Sequence, residues 1–298
     1  MISAKVIADS VATDSVARLT TLEVVMPRIV LAEFNTHRMF SRNSASSRAI
    51  PVEKRIEQIR ANPFVPEAFG RNQRGMQAGE DLADQDEARG VWLDAMDDAL
   101  GRAASLAKLG VHKQWANRLL EPFSWHTVVV SSTTWSNFFA LRCHPDAQPE
   151  MRRVAEAMRD ALAASDPVQK FAGDWHLPYT SPDDDVNDGI IHPDNLSHPS
   201  YLVLSPEDRV QFVRVQTSVA RCAAVSYERQ GVQDVAAEVS RYWKLRTSGH
   251  LSPFEHAAQL NSPAQYHGNF WGWRQHRKDI PGESQFAILQ HSERRGAT

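Results

Sequence analysis

Two arginines ten residues apart, Arg38 and Arg48, bracket Ser41, Asn43, Ser44, Ser46 and Ser47, and His37 stands immediately before the first of them. A guanidinium offers a planar, permanently charged fork that suits phosphate oxygens, and hydroxyl and amide groups add neutral donors. The segment therefore reads as a cradle for a phosphate or a nucleotide, and its bland counterpart is a polar surface loop with incidental arginines. Neither G-x-x-x-x-G-K-[ST] nor G-x-G-x-x-G occurs, so a P-loop and a dinucleotide-binding Rossmann turn are not supported. None of the twelve histidines falls in an H-E-x-x-H pattern, and no metal site is expected. Cys143 and Cys222 cannot form a disulfide framework or a Cys-based zinc site, and both are expected to be small buried hydrophobes.

Such a cradle needs elements to hold it. Leu22, Val24 and Met26 alternate with Thr21 and Glu23, the period of a half-buried strand over 18–26. Pro27 suits a first helical turn, which predicts a helix over 27–38 ending at His37–Arg38, then a loop over 39–50. Pro51 opens a second helix with Val52, Ile56 and Ile59 on one face. Residues 61–90 read as a mobile loop. Trp92, Met96, Leu100, Ala103 and Leu106 predict a helix over 88–108. A short strand at 127–130, a helix from Pro149, an irregular stretch at 166–205 and helices near 210–224 and 232–247 complete the reading. The run Asp183–Asp185 reads as a solvated turn, and the aromatic, Arg-bearing 269–277 as a stacking surface or a packed helix. Strands and helices without a βαβ rhythm predict a single α+β domain over 1–298, with long insertions near 61–90 and 166–205.

The whole-chain balance narrows the function classes. Against 36 Asp+Glu stand 33 Lys+Arg, a formal charge of −3 in 298 residues, which argues against a basic nucleic-acid surface. No apolar run approaches the ~20 residues a membrane helix needs. The N-terminal MISAKVIADSV has too short an apolar stretch to read as a signal peptide, so a cytoplasmic setting is expected.

Three further segments connect the cradle to a chemistry. Residues 137–142 read Asn-Phe-Phe-Ala-Leu-Arg and 147–152 read Ala-Gln-Pro-Glu-Met-Arg; 221–227 read Arg-Cys-Ala-Ala-Val-Ser-Tyr; and 249–256 read Gly-His-Leu-Ser-Pro-Phe-Glu-His. Together with Thr36-His37-Arg38 and Ser46, these resemble the N-F-x-x-L-R, A-Q-x-E-x-R, R-A-A-R-V-S-[FY], G-H-x-[ST]-P-F-E-H and R-H-R-x7-S motifs of the flavin-dependent thymidylate synthases. In that family the P-F-E-H block precedes the R-H-R block. Here it follows, so the chain resembles a circularly permuted relative, which a site defined by spatial arrangement tolerates.

The resemblance implies a mixed sheet flanked by helices and an FAD-dependent transfer of a one-carbon unit from 5,10-methylenetetrahydrofolate to C5 of dUMP, with NADPH as reductant. A variant outcome is 5-hydroxymethylation of dUMP or dCMP, and a third is a non-catalytic nucleotide-binding protein on the same fold. It assigns His37, Arg38, Asn137 and His256 to the flavin, Ser46, Ser47 and Arg48 to the nucleotide phosphate, and Arg142 to the pyrimidine ring, with Arg142 and His256 as catalytic residues. It also implies a homotetramer with shared sites. Thr36 stands in place of the first Arg of R-H-R, Ser44 of a Glu, Ala49 of a Tyr and Glu33 of a Gln. An ionised Glu33 accepts hydrogen bonds and donates none. It is expected either to pair with an arginine, Arg42 or Arg118, or to face a donor on the ligand such as the amine of cytosine.

Overall fold

The computed structural model describes residues 1–285 apart from 76, 78, 188, 197–200 and 226–233. The alternating segment forms a strand, β2 (Arg18–Pro27), and Pro27 is its last ladder residue, opposite Trp125. It pairs antiparallel with β1 (Ser3–Ala12), a strand the sequence reading did not foresee. The helix expected over 27–38 shrinks to a 3-10 turn at Arg28–Val30 and one turn, α1 (Leu31–Phe34). Arg42 explains the early stop: its Nη1 donates to the carbonyls of Phe34 and His37, both at 3.2 Å, and folds the chain back.

The supposed loop over 39–50 contains β3 (Ser41–Ser44), an edge strand on β4 (Trp125–Ser132). Parallel addition of β5 (Val168–Lys170) to β1 completes a five-stranded mixed sheet of order β3-β4-β2-β1-β5. The expected helices form as α2 (Val52–Ala61), α3 (Gln85–Lys108) and, after a short α4 (Lys113–Ala116) and α5 (Ser136–Arg142), as α6 (Pro149–Ala163). The 166–205 stretch holds β5, a two-residue β6 (Trp175–His176), a short α7 (Pro193–Leu196) and a 3-10 turn at Tyr201–Val203 among its described residues. Two long helices follow, α8 (Pro206–Ala224) and α9 (Val235–Thr247). The aromatic tail is not a helix: β7 (Ala258–Leu260), β8 (Tyr266–His267), β9 (Phe270–Trp271) and β10 (Trp273–Gln275) form two small sheets, β7 and β10 with β6, β8 with β9. The molecule is thus α+β.

The two faces of the large sheet differ because strand side chains alternate. On one face Leu22, Val24, Met26, Val128 and Val130 pack against Phe138 of α5 and Met151, Val154 and Met158 of α6. The i, i+3, i+7 spacing of those α6 residues supplies the stripe that this face needs. On the other face Thr21 lies across from Ser131, which lies across from Ser41, so hydroxyls form a row over three strands. The C-terminal half covers that polar row.

Four histidines are buried among the described residues, and at three of them, His126, His176 and His256, burial holds the pKa at about 3, with the charges of Arg28 and Arg55 adding to the effect at His126. An unfolded chain binds protons at these rings below about 6.5, whereas the folded chain does not until about 3. Their contribution to stability is therefore complete above pH 6.5 and lost progressively as pH falls towards 3. Urea midpoints measured from pH 7.5 to 4.5 should fall throughout the lower half of that range. A flat profile would show that the three rings are protonated in the native protein.

Candidate active site

The fold draws Glu33, His37 and Arg142 together from α1, the turn after it and the end of α5. Arg142 Nε donates to His37 Nε2 at 2.9 Å, and Arg142 Nη1 pairs with the Glu33 carboxylate. Glu33 thus has the arginine partner expected for it, but that partner is Arg142 rather than Arg42 or Arg118. Phe138, buried in the core, receives the His37 ring edge-on with centroids 4.8 Å apart. Burial, then the charges of Arg142 and Arg42, hold His37 down to a pKa of about 4. At neutral pH His37 is uncharged, and accepting at Nε2 places its proton on Nδ1. Glu33 and Arg142 keep about a quarter and a fifth of their side-chain surface exposed. Arg38 and Asn137 are exposed and make no hydrogen bond or ion pair to a described residue.

The serine-rich loop builds a second cluster. Asn117 Nδ2 donates to the carbonyls of Ser47 and Ile50 at 2.7 and 2.9 Å, pinning the loop from inside. Ser46 Oγ accepts from the Arg48 amide at 3.3 Å, which turns the Arg48 side chain outward. The Ser47 hydroxyl is engaged within the protein: it donates to Glu121, which Arg28 and Arg118 also hold at 3.3 and 3.2 Å.

Ser46 and Arg48 do line a cavity of about 580 Å³, shared with Asn43, His112, His250 and Ser252. Among the described residues no carboxylate lines it. The opposite wall arrives from more than 200 residues along the chain. α9 ends in a Schellman turn in which Gly249 adopts φ +73, the Gly249 amide bonds the Arg246 carbonyl at 3.2 Å and the His250 amide bonds the Leu245 carbonyl at 3.0 Å. Only glycine takes that backbone conformation without strain, and the turn delivers His250 and Ser252 to the cavity. Asn43 locks the two walls, donating to the Cys222 carbonyl at 2.7 Å and accepting from Ser252 Oγ at 3.4 Å. His112 was not singled out from sequence, where nothing marks it.

His256 is not on this cavity. Its side chain is fully buried, and Nδ1 lies 2.8 Å from Ser131 Oγ while Nε2 has no partner among the described residues. Burial raises the thiols of Cys143 and, more strongly, Cys222 above the ordinary thiol range; Cys222 is buried as expected, whereas Cys143 is only half-buried. Ser226 and Tyr227 of the 221–227 motif lie outside the described residues. Among the described residues no three His, Cys, Asp or Glu side chains gather as a metal cage, and no helix is long and apolar enough to cross a membrane.

Comparison with known proteins follows this geometry. The sequence model of the thymidylate synthase complementing protein family matches residues 17–168. The flavin-dependent thymidylate synthase of Thermus thermophilus is 27% identical over 158 residues, 52% of this chain and 56% of that protein. The chain thus spans little more than half the length of the curated relative it matches. Among solved structures, the UMP/dUMP methylase PolB of Streptomyces cacaoi, bound with 5-Br dUMP or with 5-Br UMP, is similar at 18% identity and a TM-score of 0.46. The overlap covers 55% of this chain and 90% or 89% of that one.

Proposed function

Since the chain belongs to the thymidylate synthase complementing protein family, we propose that it catalyses FAD-dependent transfer of a one-carbon unit from methylenetetrahydrofolate to C5 of dUMP, giving dTMP, with NADPH as reductant. One observation carries the reading: two motifs about 200 residues apart meet at a cavity whose walls, among the described residues, hold Arg48, hydroxyls, two amides and two histidines but no carboxylate. That lining suits a phosphate dianion. The family match at 17–168 contains the Arg-rich loop and Arg142 and stops short of 249–256. We read the late position of that block as circular permutation, because its side chains reach the same cavity whatever their order in the chain.

The donor set also suits a flavin. Among the described residues, the exposed guanidinium of Arg38 and the exposed amide of Asn137 have no side-chain partner, and neither has the buried Nε2 of His256. When bound, flavin would supply hydride and spare the protein a nucleophilic cysteine. The chain's own residues then bind and orient: Ser46 and Arg48 take the nucleotide phosphate, and Arg142 stabilises negative charge on the ring oxygen. A flavin absorbance spectrum in the purified protein and a product mass equal to dTMP test the reading. A product heavier by one oxygen would turn it into hydroxymethylation, and a colourless protein without turnover into nucleotide binding alone.

Arg48→Ala should weaken dUMP binding ten- to a hundredfold, about 1.5–3 kcal/mol for one charge-assisted contact, with flavin content unchanged. Titration calorimetry measures it, and equal affinity in parent and variant would remove Arg48 from the site.

A further inference from the structure

A continuous chain of hydrogen bonds crosses the polar face of the sheet and ends at His256. Ser10 Oγ lies 2.9 Å from His176 Nδ1, and His176 Nε2 lies 2.8 Å from Thr21 Oγ1. Thr21 Oγ1 lies 2.6 Å from Ser131 Oγ, and Ser131 Oγ lies 2.8 Å from His256 Nδ1. All five residues are buried. At the near end Ser10 lines a separate, polar cavity of about 720 Å³. At the far end His256 Nε2 has no partner among the described residues. His176 comes from the 166–205 insertion, which neither the motifs nor the proposed reaction uses.

Counting hydrogens decides the direction of the chain. With both rings neutral, the three hydroxyls and two imidazoles carry one hydrogen each for this chain, five for four contacts, so one is left over. If the bonds point towards His256, the leftover is an Nε2–H buried without an acceptor. If they point towards Ser10, the leftover is the Ser10 hydroxyl hydrogen, which has a polar cavity beside it. If Thr21 accepts from both sides, its own hydrogen is stranded in the core. Orphaned buried N–H groups are rarer than under-used acceptors, so the second arrangement wins. His256 then carries its proton on Nδ1, and Nε2 is a bare lone pair.

We propose that His176 is a positioning residue for His256: acting through Thr21 and Ser131, it fixes the tautomer in which His256 Nε2 accepts a hydrogen bond from an N–H or O–H donor on the molecule bound at the site. Burial keeps both rings neutral at working pH, as this requires. Only the identity of that molecule, FAD, rests on the proposed function; the tautomer does not.

The experiment is long-range ¹H–¹⁵N correlation on ¹⁵N-histidine-labelled, ligand-free protein, with peaks assigned by their loss in His176→Gln and His256→Gln. In the parent protein both rings should show a protonated Nδ1 and a pyridine-like Nε2. Thr21→Val, nearly isosteric, cuts the chain. Ser131 then leaves the fewest unpaired groups by donating to His256 Nδ1, so the His256 proton should move to Nε2. Thr21→Ser should restore the parent pattern. A parent His256 protonated at Nε2, or a Thr21→Val pattern equal to the parent's, overturns the proposal, and the first needs no variant to fold. FAD retained after gel filtration should fall at least tenfold in Thr21→Val and recover in Thr21→Ser. Full retention with a switched tautomer would overturn the assignment of Nε2 to the flavin while leaving the family reaction to be judged by its product.

Discussion

Replacing Arg221 by alanine is expected to lower the unfolding free energy by about 3–5 kcal/mol, because it strands two buried carboxylates. Arg221 Nε donates to Glu238 at 2.9 Å, and its Nη1 donates to Asp184 at 2.8 Å and to the Tyr179 carbonyl at 2.7 Å. Only 1% of the Glu238 side chain and 6% of that of Asp184 reach solvent. Burial already raises the Glu238 carboxyl above its usual range, and Arg221 is the chief opposing influence. Without the guanidinium the two anions face each other unscreened, and Tyr179 and Asp184 lose the tie that binds the 166–205 insertion to α8 and α9. Urea unfolding at pH 7 measures the loss. The sign of its pH dependence is a second check: removing Arg221 takes away the influence that opposes burial at Glu238, so its carboxyl pKa rises further and the deficit should narrow as pH falls and it protonates. A loss below about 1 kcal/mol at pH 7 would show that water replaces the guanidinium.

That triad also marks where sequence reading stops. Asp183–Asp185 reads as a solvated turn because three successive carboxylates usually are one, and nothing within the segment announces a buried arginine 37 residues later. The legible parts of the fold are those that carry their own period: β2 from Leu22, Val24 and Met26, α3 from Trp92 to Leu106, α6 from Met151, Val154 and Met158. β3 was illegible because Ser41–Ser44 has four polar residues and no alternation. Its strand character comes from β4 and from partners such as Asn269, which accepts from Ser41 Oγ at 3.2 Å. The helix expected after Pro27 fails for the same class of reason, since Arg42 closes the turn from outside the segment. At the site, motif spacing singled out Ser46, Arg48 and Arg142, but not the pairings Arg142–Glu33 and Ser47–Glu121, which join residues 109 and 74 apart in the chain. Nor could it show that His256 is fully buried, or that His176, an unremarked residue of the insertion, is linked to it.

Arg142→Ala should lower kcat with dUMP by a factor of 10² to 10³, the loss of about 2.7–4 kcal/mol usual when a positioned donor to a developing oxyanion is removed. On the proposed reaction, negative charge grows on a pyrimidine oxygen as the ring takes up hydride and becomes enolate-like, nucleophilic at C5, and it is discharged when C5 attacks the one-carbon unit. The geometry limits what Arg142 can offer, because Nε is engaged by His37 and Nη1 by Glu33. The guanidinium is therefore fixed in orientation by two partners, so a ligand that its remaining N–H groups meet would find them already ordered. Its ion pair with Arg142 supports a positioning role for Glu33 rather than one in reading the base. Glu33→Gln keeps an acceptor for Nη1 and removes the charge, so it should change kcat less than tenfold and leave dUMP preferred over dCMP. Loss of Arg142 also removes one of the charges that depress His37, so the His37 pKa should rise from about 4 towards 6.5 in Arg142→Ala. Steady-state kinetics with both nucleotides and an NMR titration of His37 check these outcomes together. A preference for dCMP that collapses in Glu33→Gln would reassign Glu33 to the base. Unaltered turnover in Arg142→Ala with a raised His37 pKa would confine Arg142 to a structural ion pair.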